Sequence, residues 1–287
     1  MPSLIAPARA LFNAIMQSGH FPCSMLQVYL IILDKPRKPA EECGSKRPFS
    51  LISVLSKALG AAILIRMMKG LKGALTRNHY AYRRDRGTEH HLEELTDFAR
   101  EQNRQRKFAY VASIDVAGAF DAVPHIQLMK TAEALGVDGF TCRYIAKWLA
   151  GRVFSARLRT PSSSHFRTWR RLSRGLPQGG VLSPFLWLLH FNPPAESLLS
   201  KRAQRVGPTR DVDFRIYIYA DDVTCALAHK NEPTLTRAAW ETSEDVMQGL
   251  QVLGLSSAGE KSESLPQILR ATFTAVPRRI PASTNMA

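Results

Sequence analysis

The chain has 287 residues, of which 45% are hydrophobic and 22% charged, so it can bury the core of one large domain or two small ones. Lys and Arg outnumber Asp and Glu by 39 to 24, a net charge of +15 that favours a polyanionic partner such as nucleic acid. A basic surface that binds nothing has the same composition. No apolar run approaches the ~20 residues that span a bilayer, and the four scattered cysteines lack zinc-ligand spacing, which predicts a reduced intracellular protein without a membrane partner.

The sequence pattern predicts mixed α and β structure. In chain order it favours a helix over 7–18, a strand over 26–33, a polar basic link over 34–46, helices over 53–75 and 89–106, a strand over 110–116, helices over 124–135 and 140–149, and weaker strands near 153–159 and 166–172 around a Pro-Ser-Ser-Ser turn. We therefore expect a compact α/β or α+β domain.

The first segment that carries chemistry is Ser113-Ile114-Asp115-Val116-Ala117-Gly118-Ala119-Phe120-Asp121. Side chains alternate along a strand, so Ile114 and Val116 should face the core and leave Asp115 on the other side. A carboxylate at the end of a buried strand is costly unless it is paired or binds a metal. Taken alone, Asp115 is equally typical of a strand end or a helix N-cap.

The second segment, 216–227, has two apolar runs around Ala220-Asp221-Asp222, which predicts a β-hairpin with adjacent carboxylates at its tip. Aspartates are common at turns. Two neighbouring carboxylates nevertheless repel each other, and a divalent cation would remove that penalty. Asp115 could complete such a site if its strand lies beside the hairpin, and a two-metal centre would suit phosphoryl transfer.

The third segment is Arg174-Gly175-Leu176-Pro177-Gln178-Gly179-Gly180-Val181-Leu182-Ser183-Pro184. Its glycines allow close approach of the backbone to a ligand. Ser183 and Pro184 predict a helix start, and Asn192-Pro193-Pro194 predict its end. Alone, this segment is also typical of a Gly-rich loop before a core helix.

In this order, the three segments resemble the polymerase motifs of reverse transcriptases. Further resemblance, to the non-LTR (LINE-type) retrotransposon group, comes from Arg47-Pro48-Phe49-Ser50-Leu51 followed by Ser56-Lys57, from Tyr82-Arg83 with Gly87-Thr88, and from Gly254-Leu255 with Lys261-Ser262-Glu263. The resemblance covers about residues 10–265. It departs at position 180, where this group more often has Ser.

The resemblance implies an α+β right-hand polymerase fold. Residues 1–110 would form a fingers-like region, and 111–265 a palm whose antiparallel sheet is backed by helices. Nothing after about residue 265 resembles a thumb, so the thumb is expected to be missing or truncated and 266–287 to be a disordered tail.

The resemblance also implies roles for single residues. Asp115, Asp221 and Asp222 would be catalytic and, with Val116, would hold two Mg²⁺ ions, or Mn²⁺ in their place. Phe120 would exclude a ribose 2′-OH. The other expected nucleotide-binding residues are Arg47, Lys35, Gln178, Gly179 and Lys261, and Tyr219 and Gly180 would lie near the primer and template. Core packing for Phe120 and Tyr219, and solvated positions for the lysines, remain alternatives.

The implied partners are an RNA template with a DNA or RNA primer, and dNTPs. An element that integrates into chromosomes would act in the nucleus. One rival hypothesis is a catalytically inactive or co-opted nucleic-acid-binding remnant. Another is a different palm polymerase, such as a group II intron maturase or an RNA-dependent RNA polymerase. The latter usually has Gly-Asp-Asp and lacks an aromatic sugar gate, so Ala220 and Phe120 argue against it.

Overall fold

The computed structural model describes residues 4–35, 46–71, 73–83, 86–160, 163–166, 169–256 and 268–269. Within them the helices are α1 Ile5–Ser18, α2 Cys23–Leu26, α3 Val54–Gly70, α4 Thr88–Arg104, α5 Ala119–Ala122, α6 His125–Ala134, α7 Gly139–Ala150, α8 Ser183–Ala203 and α9 Glu232–Val252. The strands are β1 Gln27–Asp34, β2 Lys46–Ile52, β3 Phe108–Asp115, β4 Val153–Thr160, β5 Ser163–Phe166, β6 Asp213–Tyr219, β7 Asp222–His229 and β8 Ile268–Leu269. None of the described helices is long and apolar enough to cross a membrane.

One sheet, which we call the N-terminal sheet, has the strand order β2-β1-β4-β5. β1 pairs antiparallel with β2 and parallel with β4, so this sheet combines strands from two distant parts of the chain. The sequence pattern did not predict β2, which contains Pro48. Proline is tolerated there because β2 is an edge strand. The neighbouring outward N–H, that of Ser50, donates to the Gln178 carbonyl at 2.8 Å.

The second sheet, the central sheet, has the order β6-β7-β3-β8 and is antiparallel throughout. The predicted alternation in β3 is confirmed, because Ile114 is buried, Ser113 is exposed and Asp115 is half-buried. The predicted hairpin is confirmed as well, with β6 and β7 joined through Ala220 and Asp221. β6 and β7 are almost completely apolar and buried at their centres, which places the hairpin in the core.

Helix α8 lies in the core and does not end where the sequence predicted. It continues through Pro193 and Pro194 to Ala203. A proline inside a helix costs about 3 kcal/mol, but α8 buries most of its side chains, including Trp187 and Leu189 at 0% exposure. Asn192 is also integrated, since its side-chain oxygen accepts from the Thr76 backbone N–H at 2.7 Å. Burial of this helix therefore outweighs the local breaking signal.

Two other sequence predictions differ from the structure. The weaker strand expected at 166–172 is β5, Ser163–Phe166, which starts earlier because its antiparallel pairing with β4 begins at Ser163, opposite Thr160. In the later stretch, Arg170 forms a bridge to Phe154. Within the predicted disordered tail, Ile268 and Leu269 form β8 on the edge of β3, so the prediction is wrong for those two residues. The rest of 266–287 lies outside the described residues.

His79 lies in the core and is uncharged at neutral pH. It is 0% exposed, and neither ring nitrogen has a hydrogen-bond partner among the described residues. Burial, with a smaller contribution from the Arg83 charge, lowers the pKa of His79 to about 3. Its neutral ring packs edge-on to Phe191 with ring centroids 6.3 Å apart.

Acidification is expected to destabilise the protein through His79. The pKa is about 3 in the folded chain and 6.5 as the ordinary value, so between these values the unfolded state binds more protons. Stability that is present at pH 7 is therefore lost as the pH falls through this window, by about 2 kcal/mol between pH 7 and pH 5. Urea unfolding at pH 7 and pH 5 should show that His79→Phe removes this part of the pH dependence of the free energy of unfolding.

The matched control is His20→Phe, which alters an exposed histidine. It should leave the pH dependence of unfolding unchanged. A His79→Phe protein with the same pH dependence as the wild type would contradict the neutral, buried state of this ring.

Candidate active site

Two strand ends that carry carboxylates meet at one edge of the central sheet. β3 pairs with β7 so that Asp115 lies opposite Asp222. The Val116 backbone N–H donates to the Asp221 carbonyl at 3.2 Å, just beyond the end of the ladder. Residues more than 100 positions apart in sequence are thereby held side by side, as the sequence hypothesis required.

The turn between β6 and β7 is strained and is supported from below. Ala220 has φ +55°, a left-handed conformation that is unfavourable for a residue with a Cβ. Its carbonyl accepts a hydrogen bond from the Trp187 indole N–H at 2.6 Å. Because Trp187 is completely buried in α8, the core fixes the position of the turn that carries Asp221.

A cleft of about 480 Å³ opens above these strand ends. It brings together eight of the residues proposed from sequence: Lys35, Arg47, Asp115, Val116, Phe120, Gln178, Gly179 and Asp221. The carboxylates come from the central sheet and the cations from the tips of β1 and β2. Groups of opposite charge therefore line the same cleft.

Other proposed residues lie beside the cleft rather than in its lining. Asp222 is exposed on β7, and its charge acts on His91 of α4. Tyr219 packs nearly parallel to His91, with ring centroids 6.4 Å apart. Gly180 lies at the base of the loop, where a Cβ would come within 2.7 Å of the Ser183 hydroxyl oxygen. Lys261 lies outside the described residues.

Gln178 ties the loop to the segment after β3. Its side-chain amide donates to both carboxylate oxygens of Asp121, at 3.1 and 3.2 Å. Desolvation raises the pKa of Asp121, while the Gln178 hydrogen bond and the Lys35 charge act in the opposite direction. The cleft thus contains a third carboxylate, whose pKa is raised on balance because desolvation outweighs the amide and the nearby ammonium group.

Backbone contacts hold the 174–180 loop tightly against its neighbours. Leu176 N–H donates to the Phe120 carbonyl at 2.6 Å, and Gly175 N–H to the Val123 carbonyl at 2.8 Å. Gly175 has φ +91° and lies where a Cβ would meet the Asp121 carbonyl at 2.9 Å. Gly179 has φ +107° and a similarly close approach to the Ser50 carbonyl at 3.0 Å. Glycine is required at both positions by conformation and by space.

Comparison with known proteins assigns this arrangement to a family. Residues 34–272 match the family model of the reverse transcriptase (RNA-dependent DNA polymerase). The chain belongs to the reverse transcriptase family. The resemblance inferred from the three motifs is thereby confirmed.

The related proteins are polymerases of non-LTR retrotransposons. The chain is 27% identical over 226 residues to the RNA-directed DNA polymerase from mobile element jockey of Drosophila melanogaster, covering 77% of this chain and 23% of that protein. It is 26% identical over 266 residues to the Pol polyprotein from type-1 retrotransposable element R2 of Popillia japonica, covering 92% of this chain and 35% of that protein. The chain therefore spans 23% and 35% of the length of these two relatives.

A solved structure shows the same fold. The apo telomerase from Candida tropicalis, truncated from its C-terminal domain, superposes with a TM-score of 0.56 and 10% sequence identity. The match covers 87% of this chain and 53% of the telomerase chain. The mixed helix and strand architecture is thus a reverse transcriptase fold.

Several cleft residues of the reverse transcriptase domain had no predicted role, among them the polar or charged Tyr82, Asp121 and Lys46. Asp121 belongs to the quoted motif around Asp115, so its place in the motif was a usable signal. Tyr82 also lies in a quoted segment, but its φ of +57° cannot be read from sequence. Lys46 forms an ion pair with Asp34 across β1 and β2, and only strand pairing reveals that contact.

Substitution of Gly179 should destabilise the reverse transcriptase domain. A Cβ at this position would lie 3.0 Å from the Ser50 carbonyl and 3.3 Å from the Phe49 ring, at a φ that L-residues avoid. We expect Gly179→Ala to lower the free energy of unfolding by about 1–3 kcal/mol, measured by urea unfolding.

Gly70→Ala is the matched control, since Gly70 ends α3 and has nothing within 4 Å of its Cβ direction. It should unfold like the wild type. Equal stability of the two alanine variants would show that the loop does not approach β2 as closely as described.

Proposed function

We propose that this chain is the polymerising domain of a retrotransposon reverse transcriptase, an RNA-directed DNA polymerase that transfers nucleotides from dNTPs to a primer 3′-OH. The observation that carries the proposal is the meeting of Asp115 and Asp221 in one cleft with Phe120, Gln178 and Arg47. Family membership supports the reaction class. The relatives are longer proteins, so the activity of this domain by itself is part of the proposal.

The cleft suits hard divalent cations, although its side chains alone do not complete a metal site. Among the described residues, no three His, Cys, Asp or Glu side chains are gathered closely enough to hold an ion. Mg²⁺ usually takes one or two protein carboxylates and fills its remaining positions with water and substrate phosphates. The Asp115 and Asp221 carboxylates, with the Val116 carbonyl, fit that pattern for two Mg²⁺ or Mn²⁺ ions, and Asp222 would assist from β7. When bound, such ions neutralise phosphate charge and lower the barrier to in-line transfer.

The cations of the cleft would hold the triphosphate. Arg47 on β2 and Lys35 after β1 line the same cleft as the carboxylates. A guanidinium binds two phosphate oxygens at once, which orients the nucleotide more strictly than a point charge does. Lys261 is a further proposed contact, at the pyrophosphate, and lies outside the described residues.

Phe120 would distinguish deoxyribose from ribose. Its ring lines the cleft between the carboxylates and the Gln178 loop. An aromatic ring at the sugar leaves no room for a 2′-OH and offers it no hydrogen bond. Gln178 and the Gly179 backbone would form the adjoining wall of the nucleotide site.

The central sheet with its helices would be the palm, and the N-terminal sheet the fingers, extending the fingers-like region 1–110 by β4 and β5. An RNA template with a DNA or RNA primer would lie across this basic protein, bound mainly through phosphates. Tyr219 and Gly180 would face the primer end and template. Action in the nucleus remains a prediction for an element that integrates into chromosomes.

Replacement of either cleft carboxylate should abolish polymerisation. Asp221→Asn and Asp115→Asn each keep the side-chain shape but remove a charge that faces the reacting phosphates. We expect each to slow primer extension on an RNA template with a DNA primer, dNTPs and Mg²⁺ by at least ~100-fold.

Asp97→Asn serves as the control, because Asp97 is exposed on α4, where it pairs with Arg100. It should extend primers at the wild-type rate. Extension by Asp221→Asn at that rate would refute the proposed catalytic role. A wild-type protein that binds primer–template but never extends it would favour the alternative of an inactive nucleic-acid-binding remnant.

A further inference from the structure

A continuous series of aromatic rings leads from the cleft into the core and back to the same loop. Tyr82 meets Phe120 edge-on at 6.3 Å, and Phe120 stacks on Trp187 at 5.8 Å. Trp187 stacks on Phe191 at 5.5 Å, and Phe191 meets His79 edge-on at 6.3 Å. Both ends of the series, Tyr82 and His79, belong to one short loop. The backbone of this loop therefore joins the two ends of the series, and we call the series together with the loop the aromatic circuit.

One member of this circuit, Trp187, also supports the β6–β7 hairpin that carries Asp221. Trp187 donates its indole N–H to the Ala220 carbonyl, one residue before Asp221. The same indole stacks on Phe120 on the cleft side. The ring proposed to select the sugar and the turn proposed to hold a metal-binding carboxylate thus share one buried side chain.

Tyr82 is held in an unfavourable conformation at the cleft end of the circuit. Its φ is +57°, rare for a bulky residue, and such strain persists only where the surroundings enforce it. The preceding residues are hydrogen-bonded to β6: the Asn78 side-chain amide donates to the Ile216 carbonyl at 2.8 Å, and Tyr80 N–H to the Ile218 carbonyl at 2.9 Å. Arg83 donates to the Thr76 carbonyl at 2.6 Å and closes the loop.

The Tyr82 side chain contacts Phe120 and is near enough to Asp221 for the charge of that carboxylate to act on it. It is 44% exposed, so its ring is available to the cleft while one edge packs on Phe120. Burial of the other part raises the pKa of its hydroxyl, and the charge of Asp221 raises it further.

We propose that Tyr82 is a positioning residue for sugar selection, which holds the Phe120 ring from the cleft side while Trp187 supports it from the core. This inference rests on the proposed function of Phe120. A ring supported on one side only can turn about its side-chain torsions and make room for a 2′-OH. The Tyr82 ring is nearly perpendicular to the Phe120 ring, at 88°, and the Trp187 ring is stacked on it at 25°. Contact with both rings leaves Phe120 one orientation.

The test is nucleotide binding to a complex of the whole chain with an RNA template and a DNA primer that lacks a 3′-OH. Dissociation constants for dATP and ATP opposite a template uridine are measured with Mg²⁺, so that no turnover is needed. We expect the wild type to prefer dATP, and Tyr82→Ala to reduce the dATP:ATP preference at least tenfold, mainly through tighter ATP binding.

Two variants separate positioning from folding. Tyr82→Phe keeps the ring and should retain the preference. Tyr82→Asn removes the ring but tolerates positive φ, so it should fold even if the alanine variant does not, and should lose the preference. Trp240→Ala, which removes an exposed aromatic of α9 outside the cleft, is the control for general effects.

The outcomes distinguish the inference from the function on which it rests. Wild-type preference retained in folded Tyr82→Asn would overturn the role of Tyr82 and leave the proposed polymerase standing. Loss of preference in Tyr82→Phe would also overturn it, because the hydroxyl rather than the ring would then be decisive. A wild-type complex that binds neither nucleotide would refute the proposed function, and the inference with it.

Discussion

The antiparallel pairing of β3 with β7 is the constraint on which the site depends. It sets Asp115 opposite Asp222 and lets the next backbone N–H, that of Val116, reach the carbonyl of Asp221. A shift of one residue in this register would turn every side chain of β3 to the opposite face. The buried face of β3, with Ile114 and Ala112 in the core, makes such a shift costly. Packing of the sheet therefore fixes the geometry of the carboxylates.

Helix α8 is the second element that combines packing with function. Most of its side chains are buried, and Asn192 accepts a hydrogen bond from the Thr76 backbone N–H. These tertiary contacts stabilise the helical conformation at Asn192 and the two prolines, where the local sequence disfavours it. From this position Trp187 supports both Phe120 and the strained turn at Ala220. A disturbance of the core around α8 would thus reach the cleft without a change in any cleft residue.

The cleft is also arranged electrostatically. Its lining includes carboxylates of the central sheet and of α5 together with the cations Lys35, Lys46 and Arg47. Asp121 accepts hydrogen bonds from the Gln178 amide, and Lys46 forms an ion pair with Asp34. Neighbouring carboxylates repel each other, so such a group favours cations, while Lys and Arg side chains favour anions.

The sequence by itself determined the family of this protein and the local frame of its candidate site. Strand periodicity around Asp115 and the hairpin around Asp221 follow from alternation between neighbouring residues, which is a local property. Tertiary structure alone decided the rest. β2 forms despite Pro48 because it is an edge strand, and α8 continues through Pro193 because burial offsets the cost. The contacts of Tyr82 and the pairing of Asp121 with Gln178 join segments far apart in the chain, and no local pattern encodes a contact between distant segments.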